Sequence, residues 1–345
     1  MGIQKQLDKF HNSIKLSRGD ASYKTARQRD DSITMRVEAA FKEAGYEVIN
    51  SFIQGSLATT TAIVPMSGDY DIDRAIVIDA AEAPENPVAP KKIVLNVLEN
   101  RGFKNARIKK PCVTADYSSE NVHIDFPVYK RQGHQHYLAV GKKNSDERNR
   151  SWSSADPRGL IDWVNDRSAY GDLAAEKQNQ FQRLVRYLKR WRDYQFSDTV
   201  ASRIHSIGLT VMLKEQFCPS FSSEGSRQDL HALYQSVDSV LARCYFINVD
   251  EGKYRVSVLL PKEPWRDIFD GSSVDTGTQF RNKLVRLRDK LAEAAELTDV
   301  VKQAKILRDL FGGDFEVPEP PQGTSGSTKK AVYATSGAAG TSQGA

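Results

Sequence analysis

The sequence predicts a mixed α/β fold joined to a helical lobe, and three observations carry that reading. Short apolar runs of strand length alternate with helix-length patterns through the first half. From about Asp162 onward helical patterns dominate. Between two of the early strands lies a Gly-Ser turn, Gln54-Gly55-Ser56, followed by Asp69-Tyr70-Asp71-Ile72-Asp73 at the head of an apolar run.

The elements follow in order. Residues 1–45 read as helical, with Asp31-Ser32 as a candidate cap for Ile33, Val37, Ala40, Phe41 and Ala44, and Gly45 as the stop. Val48 to Ile53 and Arg74 to Ile78 read as strands. Ala83 to Pro90 reads as a proline-rich loop, and Lys91 to Asn100 as a helix ended by Gly102. Val113 to Tyr117 and Val122 to Tyr129 read as strands of a hairpin joined by Ser118 to Asn121. His134-Gln135-His136 reads as a polar loop. Beyond it, Phe181, Leu184, Val185, Leu188 and Trp191 form an apolar stripe, with a basic opposite face (Arg183, Arg186, Arg190, Arg192) read mostly as ordinary solvated surface. Ile204 to Phe217 and Leu284 to Leu310 read as further helices, and Val256 to Leu260 as a short extended segment.

Expected boundaries are a catalytic core with its N-terminal helix at 1–160, a helical lobe at 161–317 and a tail at 318–345. The tail lacks Leu, Ile, Phe and Trp, so it cannot bury enough apolar surface to offset its ordering entropy and is expected to be disordered.

Composition narrows the function classes. The 49 Lys and Arg against 44 Asp and Glu give a net charge of +5, which permits polyphosphate or nucleic-acid binding without demanding either. The basic run has no base-stacking aromatic pattern beside it, so a nucleic-acid activator is not indicated. Three scattered cysteines without metal-ligand spacing suit a reduced, cytoplasmic setting, and neither a signal peptide nor a membrane span is expected.

Carboxylates two apart on a strand share a face. Asp71 and Asp73 therefore form a pair of oxygen ligands suited to a hard divalent cation such as Mg²⁺. Asp125 is the candidate third ligand; it shares a strand face with His123, while Ile124 and Phe126 take the other. Asp69 is assigned outside the ligand set, because Gly68 places it in the loop. Gly55 and Ser56 offer backbone N–H groups and a hydroxyl to phosphate. This combination points to nucleotidyl-transfer chemistry.

These residues also carry a resemblance. Gln54 to Pro65, Asp71-Ile72-Asp73 and Val122 to Val128 resemble the bacterial cGAS/DncV-like nucleotidyltransferases (CD-NTases) of CBASS anti-phage defence, in the polymerase-β-like superfamily. Trp152 to Trp163, Leu184 to Trp191, His205 to Thr210 and Leu310 to Phe315 extend the likeness, so that it spans roughly residues 30 to 316. The resemblance implies a bilobed α/β (α+β) enzyme that makes a cyclic di- or trinucleotide from nucleoside triphosphates (ATP, GTP or others). Asp71, Asp73 and Asp125 would hold two Mg²⁺ ions, with Mn²⁺ as an alternative, and Asp125 would help activate the attacking ribose hydroxyl. Ser56, Lys189 and Ser206 would contact the donor triphosphate, with Gly55 in the turn and Gln54 near a ribose or base. The product would act on a downstream effector. The tail has a second reading here, as the substrate of an E1–E2-like CBASS ligase joined through Ala345. Rival readings are a nucleotidyltransferase acting on an RNA end, a small molecule or a protein, and an inactive nucleotide-binding scaffold.

Overall fold

A computed structural model describes residues 2–16, 19, 21–64, 66, 70–103, 105–117 and 122–319. Asp69, the Ser118–Asn121 connection and the tail from residue 320, Ala345 included, lie outside the described residues.

The chain opens with helices α1 (Ile3–Ile14) and α2 (Ala21–Glu43). The sheet lobe then builds from β1 (Val48–Ile53), a single turn of helix α3 (Gly55–Ala58), β2 (Tyr70–Asp79), α4 (Val88–Asn100), β3 (Arg107–Ile108), β4 (Val113–Tyr117), β5 (Val122–Phe126), β6 (Val128–Gln132), β7 (Gln135–Val140) and β8 (Ser151–Ala155). The sheet runs β3-β4-β5-β2-β6-β7-β8, with β1 also on β2. The strand expected over Val122–Tyr129 is divided at Pro127, which has no N–H for a ladder. Its first part pairs in parallel with the start of β2 and its second part, β6, with the end of β2. Of the polar loop expected at residues 134–136, His134 lies in a turn, while Gln135 and His136 begin β7, where His136 is buried and stands in register with Arg131 and Ala155.

Alternation along β2 sets its two faces. Ile72, Ile76 and Ile78 pack with Ile124, Phe126 and Val128 under α2 and α4, while Ala75 and Val77 join Phe52, Tyr129 and Leu138 on the other side. Arg74 shares the helix-covered face and reaches α2, where it pairs with Asp30 and, at 2.7 Å, with Asp31. Asp31-Ser32 is therefore no helix start. The helix runs from Ala21, and both carboxylates serve a buried strand arginine from mid-helix.

The helical lobe comprises α5 (Pro157–Asn165), α6 (Ala174–Gln195), α7 (Asp198–Ala201), α8 (Ser206–Glu215), α9 (Asp229–Ala242), the hairpin β9 (Phe246–Asp250) and β10 (Lys253–Val256), α10 (Val274–Glu296) and α11 (Val300–Phe311). Its core centres on Phe181, Tyr187, Trp191, Phe280 and Phe311. Leu7, Phe10 and Ile14 of α1 are buried in this same core, so this first helix packs mainly with the second lobe, while its end also bonds to residues 62–64. Phe10 lies 5.3 Å from Tyr187 and 5.0 Å from Phe311, ring centre to ring centre.

The basic face of α6 departs furthest from expectation. Arg183, Arg186, Lys189 and Arg190 are all buried. Arg183 pairs with Asp229 on α9. The other three reach the segment that follows α3. Arg186 donates to Thr60 O at 2.6 Å and Ala62 O at 3.2 Å, Lys189 to Thr61 O at 3.0 Å, and Arg190 to Val64 O at 2.7 Å. A solvated face was expected because the acceptors are backbone carbonyls more than a hundred residues away, which leave no mark in local composition.

Candidate active site

The lobes meet over a cleft of about 1020 Å³. It is lined by Gln54, Gly55, Ser56, Asp71, Asp73, Asp125, Lys189 and Ser206, so every expected catalytic and nucleotide-binding residue faces one space.

Strand pairing brings the carboxylates together. In the parallel β2–β5 register, Asp73 stands opposite Asp125 and Asp71 opposite His123. All four belong to the face away from α2 and α4. On its other side this part of β2 is met by the Gly-Ser turn, where the N–H of Gln54 donates to Asp73 O at 2.9 Å. Gly55 sits at φ +65°, and a Cβ there would come within 2.1 Å of Asp73 Oδ2. Two requirements thus fall on one position: a left-handed backbone and room for the Asp73 carboxylate. Gln54 is fixed in turn by the hydroxyl of Tyr129, which donates to its Oε1 at 3.1 Å.

The carboxylates repel one another. Burial and then the charges of Asp71 and Asp125 push Asp73 up to about 8. Asp71 is raised, first by desolvation between the cleft walls and then by Asp125. Burial would raise Asp125 too, but the nearness of His123, Thr114 and Lys109 more than offsets it and holds its carboxyl below the usual range. Asp125 Oδ1 is buried and takes no hydrogen bond among the described residues. An orphaned carboxylate oxygen beside two more carboxylates fits a divalent cation held by this set.

From the helical lobe, Lys189 Nζ also donates to Thr61 Oγ1 at 3.2 Å. Burial, then the charges of Arg192 and Arg186, lowers Lys189 to about 7. Ser206 Oγ accepts from Arg192 Nη1 at 2.8 Å, so the serine arrives already oriented by an arginine that lines the same cleft.

Sequence reasoning placed His123 on the face of Asp125 but gave it no part in the site. The structure puts His123 Nε2 3.1 Å from Asp125 Oδ1, and a ligand atom from each of Asp71, His123 and Asp125 lies within 4.8 Å of the others. Lys109, Thr114 and Asp116 surround the imidazole. The i, i+2 spacing of His123 and Asp125 was the available signal; the rest depends on β4 lying antiparallel beside β5. Arg192 was likewise missed, since nothing in its own helix marks it.

A carboxylate triad on adjacent strands, a Gly-Ser turn against it and a helical lobe closing the cleft define a nucleotidyltransferase fold. Residues 50–129, which hold the turn and all three aspartates, match the family described as cyclic GMP-AMP synthase DncV-like, nucleotidyltransferase domain. Over these residues the chain is similar to the DncV-like nucleotidyltransferases. A cyclic GMP-AMP synthase of Escherichia albertii is 26% identical over 219 residues, covering 60% of this chain and 45% of the relative. The chain therefore spans about half the length of the curated relative it matches. Vibrio cholerae DncV cyclic AMP-GMP synthase, in complex with the linear intermediate 5′ pppA(3′,5′)pG, shares the fold with a TM-score of 0.69 at 15% identity, over 90% of this chain and 94% of that one. Bradyrhizobium diazoefficiens CD-NTase CdnG in complex with GTP gives 0.65 at 17% identity, over 90% and 95%.

Proposed function

We propose that this chain condenses nucleoside triphosphates into a cyclic di- or trinucleotide that acts as a second messenger. The observation that carries the reading is the convergence of Asp71, Asp73, Asp125, Ser56, Lys189 and Ser206 on one cleft. Its volume of about 1020 Å³ stands at the top of the roughly 300–1,000 Å³ usual for small-ligand sites. That is room for a donor and an acceptor nucleotide together.

Asp71, Asp73 and Asp125 would hold two Mg²⁺ ions, or Mn²⁺ in their place. Such ions, when bound, neutralise the charge that develops on the transferring phosphoryl group. The chain's own residues do the rest. Ser56 and the Gly55 backbone grip the triphosphate from the sheet lobe, and Lys189 and Ser206 meet it from the helical lobe. Gln54 stands beside the ribose or base. Asp125 would take the proton of the attacking ribose hydroxyl. The hydroxyl oxygen bonds to the α-phosphorus, the bond to the β-phosphate oxygen breaks, and pyrophosphate leaves. Holding both partners in line is the larger contribution of the protein.

No helix among the described residues is long and apolar enough to cross a membrane. The setting proposed is cytoplasmic, within CBASS anti-phage defence, with a product-binding effector downstream. The E1–E2-like ligase acting on Ala345 remains part of the proposal, tested by mass spectrometry of the C-terminal peptide after co-expression with such a ligase.

The test of the central reading is incubation with all four triphosphates and a divalent cation, followed by phosphatase and nuclease digestion and mass analysis. A phosphatase-resistant cyclic product is expected, absent in an Asp71→Asn/Asp73→Asn variant. Label that appears only on added RNA, a small acceptor or protein would replace this reading with transfer to that acceptor. Bound nucleotide without turnover would leave a scaffold.

A further inference from the structure

His123 is held as metal-ligating histidines are held. Its Nδ1 lies against Asp116 Oδ1, and because a carboxylate can only accept, Nδ1–H is the donor. Asp116 is itself fixed, accepting from Asn105 Nδ2 at 2.6 Å and lying 3.5 Å from Arg107. In the neutral ring this carboxylate-to-imidazole contact selects the tautomer whose Nε2 carries a lone pair, and that nitrogen lies beside Asp125.

Three groups crowd Nε2. The Thr114 hydroxyl is 2.7 Å away and Lys109 Nζ is 3.3 Å away, both able to donate to it. The third is Asp125 Oδ1 at 3.1 Å, which receives no hydrogen bond among the described residues. With the ring neutral Nε2 and this oxygen are two lone-pair atoms, and they repel unless a cation lies on their common side. A cation does lie near both, for the Lys109 ammonium is also 3.8 Å from Asp125 Oδ1. Its side chain is 38% exposed, so it can withdraw into solvent at modest cost. The Asp71 carboxylate completes the ring of ligand atoms within 4.8 Å.

We propose that Asp71, His123 and Asp125 form one divalent-cation site in which His123 Nε2 is a direct ligand, Asp116 orients the imidazole, and Lys109 stands in for the metal until it binds. The inference rests on the nucleotidyl-transfer reading of the same cleft and adds a nitrogen to its oxygen ligands. An imidazole with two carboxylates favours Mn²⁺ over Mg²⁺, because Mg²⁺ strongly prefers oxygen and its own water. Asp73 lies opposite Asp125 in the register, free to serve a second, all-oxygen position with Asp71.

Pulsed electron paramagnetic resonance on the Mn²⁺-loaded full chain tests this directly, alone and with the non-hydrolysable α,β-methylene-ATP. The expected result is a ¹⁴N modulation from one imidazole, lost in His123→Gln while the variant keeps its circular dichroism and melting temperature. Mn²⁺ affinity should fall about 10- to 100-fold in His123→Gln and about 10-fold in Asp116→Asn, with Mg²⁺ affinity changed far less. Lys109→Met should bind Mn²⁺ more tightly. Bound Mn²⁺ without ¹⁴N coupling would overturn the assignment and make His123 a positive partner of Asp125; so would failure to bind Mn²⁺ in either condition. The outcomes separate from those of the product assay. Cyclic product without ¹⁴N coupling removes only the histidine ligand, whereas ¹⁴N coupling without any nucleotidyl product removes only the reaction.

Discussion

Asp229, buried in the helical lobe, and Asp73, half-buried at the cleft of the sheet lobe, are both carboxylates taken partly out of water, yet their surroundings are opposite. Asp229 accepts from Arg183 Nε at 2.7 Å and Nη2 at 3.0 Å, and from Gln180 at 3.0 Å. Burial would raise it, but Arg183 more than offsets that and holds it below the usual carboxylate range. Asp73 has two carboxylates for neighbours and is raised to about 8. One lobe completes its buried charge from its own side chains. The other collects negative charge, which the proposed divalent cations would balance. Residue type alone does not separate the two settings; the groups packed around each carboxylate do.

That contrast can be broken in several places. The largest effect is expected at the site: Asp73→Asn should reduce nucleotidyl transfer by about 10³-fold, the loss of roughly 4 kcal/mol of charge stabilisation. Its melting temperature in a chelator should hold or rise, because asparagine cannot take the charge that burial and its neighbours oppose; a marked fall would mean that Asp73 is structural. In the helical lobe the balance reverses. Asp229→Asn should destabilise the fold by about 3–5 kcal/mol, since it leaves Arg183 buried without a counter-charge. Urea unfolding checks this, and an unchanged midpoint would erase the distinction between the lobes.

Gly55→Ala joins the two effects at one position. It strains a left-handed residue by about 1–2 kcal/mol and displaces the Asp73 carboxylate, so activity should fall by about 10²-fold with only a small shift in melting temperature. Steady-state kinetics beside a thermal melt separates the two.

The smallest effect expected is a pH dependence of stability. Burial, then the charges of Arg186 and Arg183, lowers His11 to about 3 against 6.5 in the unfolded chain. The neutral ring accepts from Arg186 Nη1 at 3.0 Å. A base with a depressed folded value contributes stability that is whole above the unfolded value. That stability is lost as pH falls from 6.5 towards 3, because the unfolded state takes up the proton first. Melts between pH 7 and 4.5 should show a shallower decline in His11→Gln than in the parent chain.

Much of the sheet lobe was legible because its signals are local. Val48–Ile53 and Val113–Tyr117 stand where the apolar alternation put them, and the Asp-x-Asp spacing put both carboxylates on one face. What escaped depended on partners distant in sequence. His123 acquires its setting from β4, Arg183 from α9, and α1 its place from helices at the far end of the chain. A local pattern reports which way a side chain faces; it carries no record of what the chain later brings opposite.

The clamp between α6 and residues 60–64 distributes evolutionary freedom unevenly. Arg186 and Arg190 bind that segment through carbonyl oxygens, and Lys189 does so except for the Thr61 hydroxyl. Every amino acid brings a carbonyl, so the bond from Arg190 does not depend on the side chain at Val64, whereas Thr61 and Ala62 are buried and Ile63 packs against the helical core. Saturation mutagenesis would therefore find Val64 permissive and Arg186, Lys189 and Arg190 unforgiving, the reverse of what a charged helix face ordinarily tolerates.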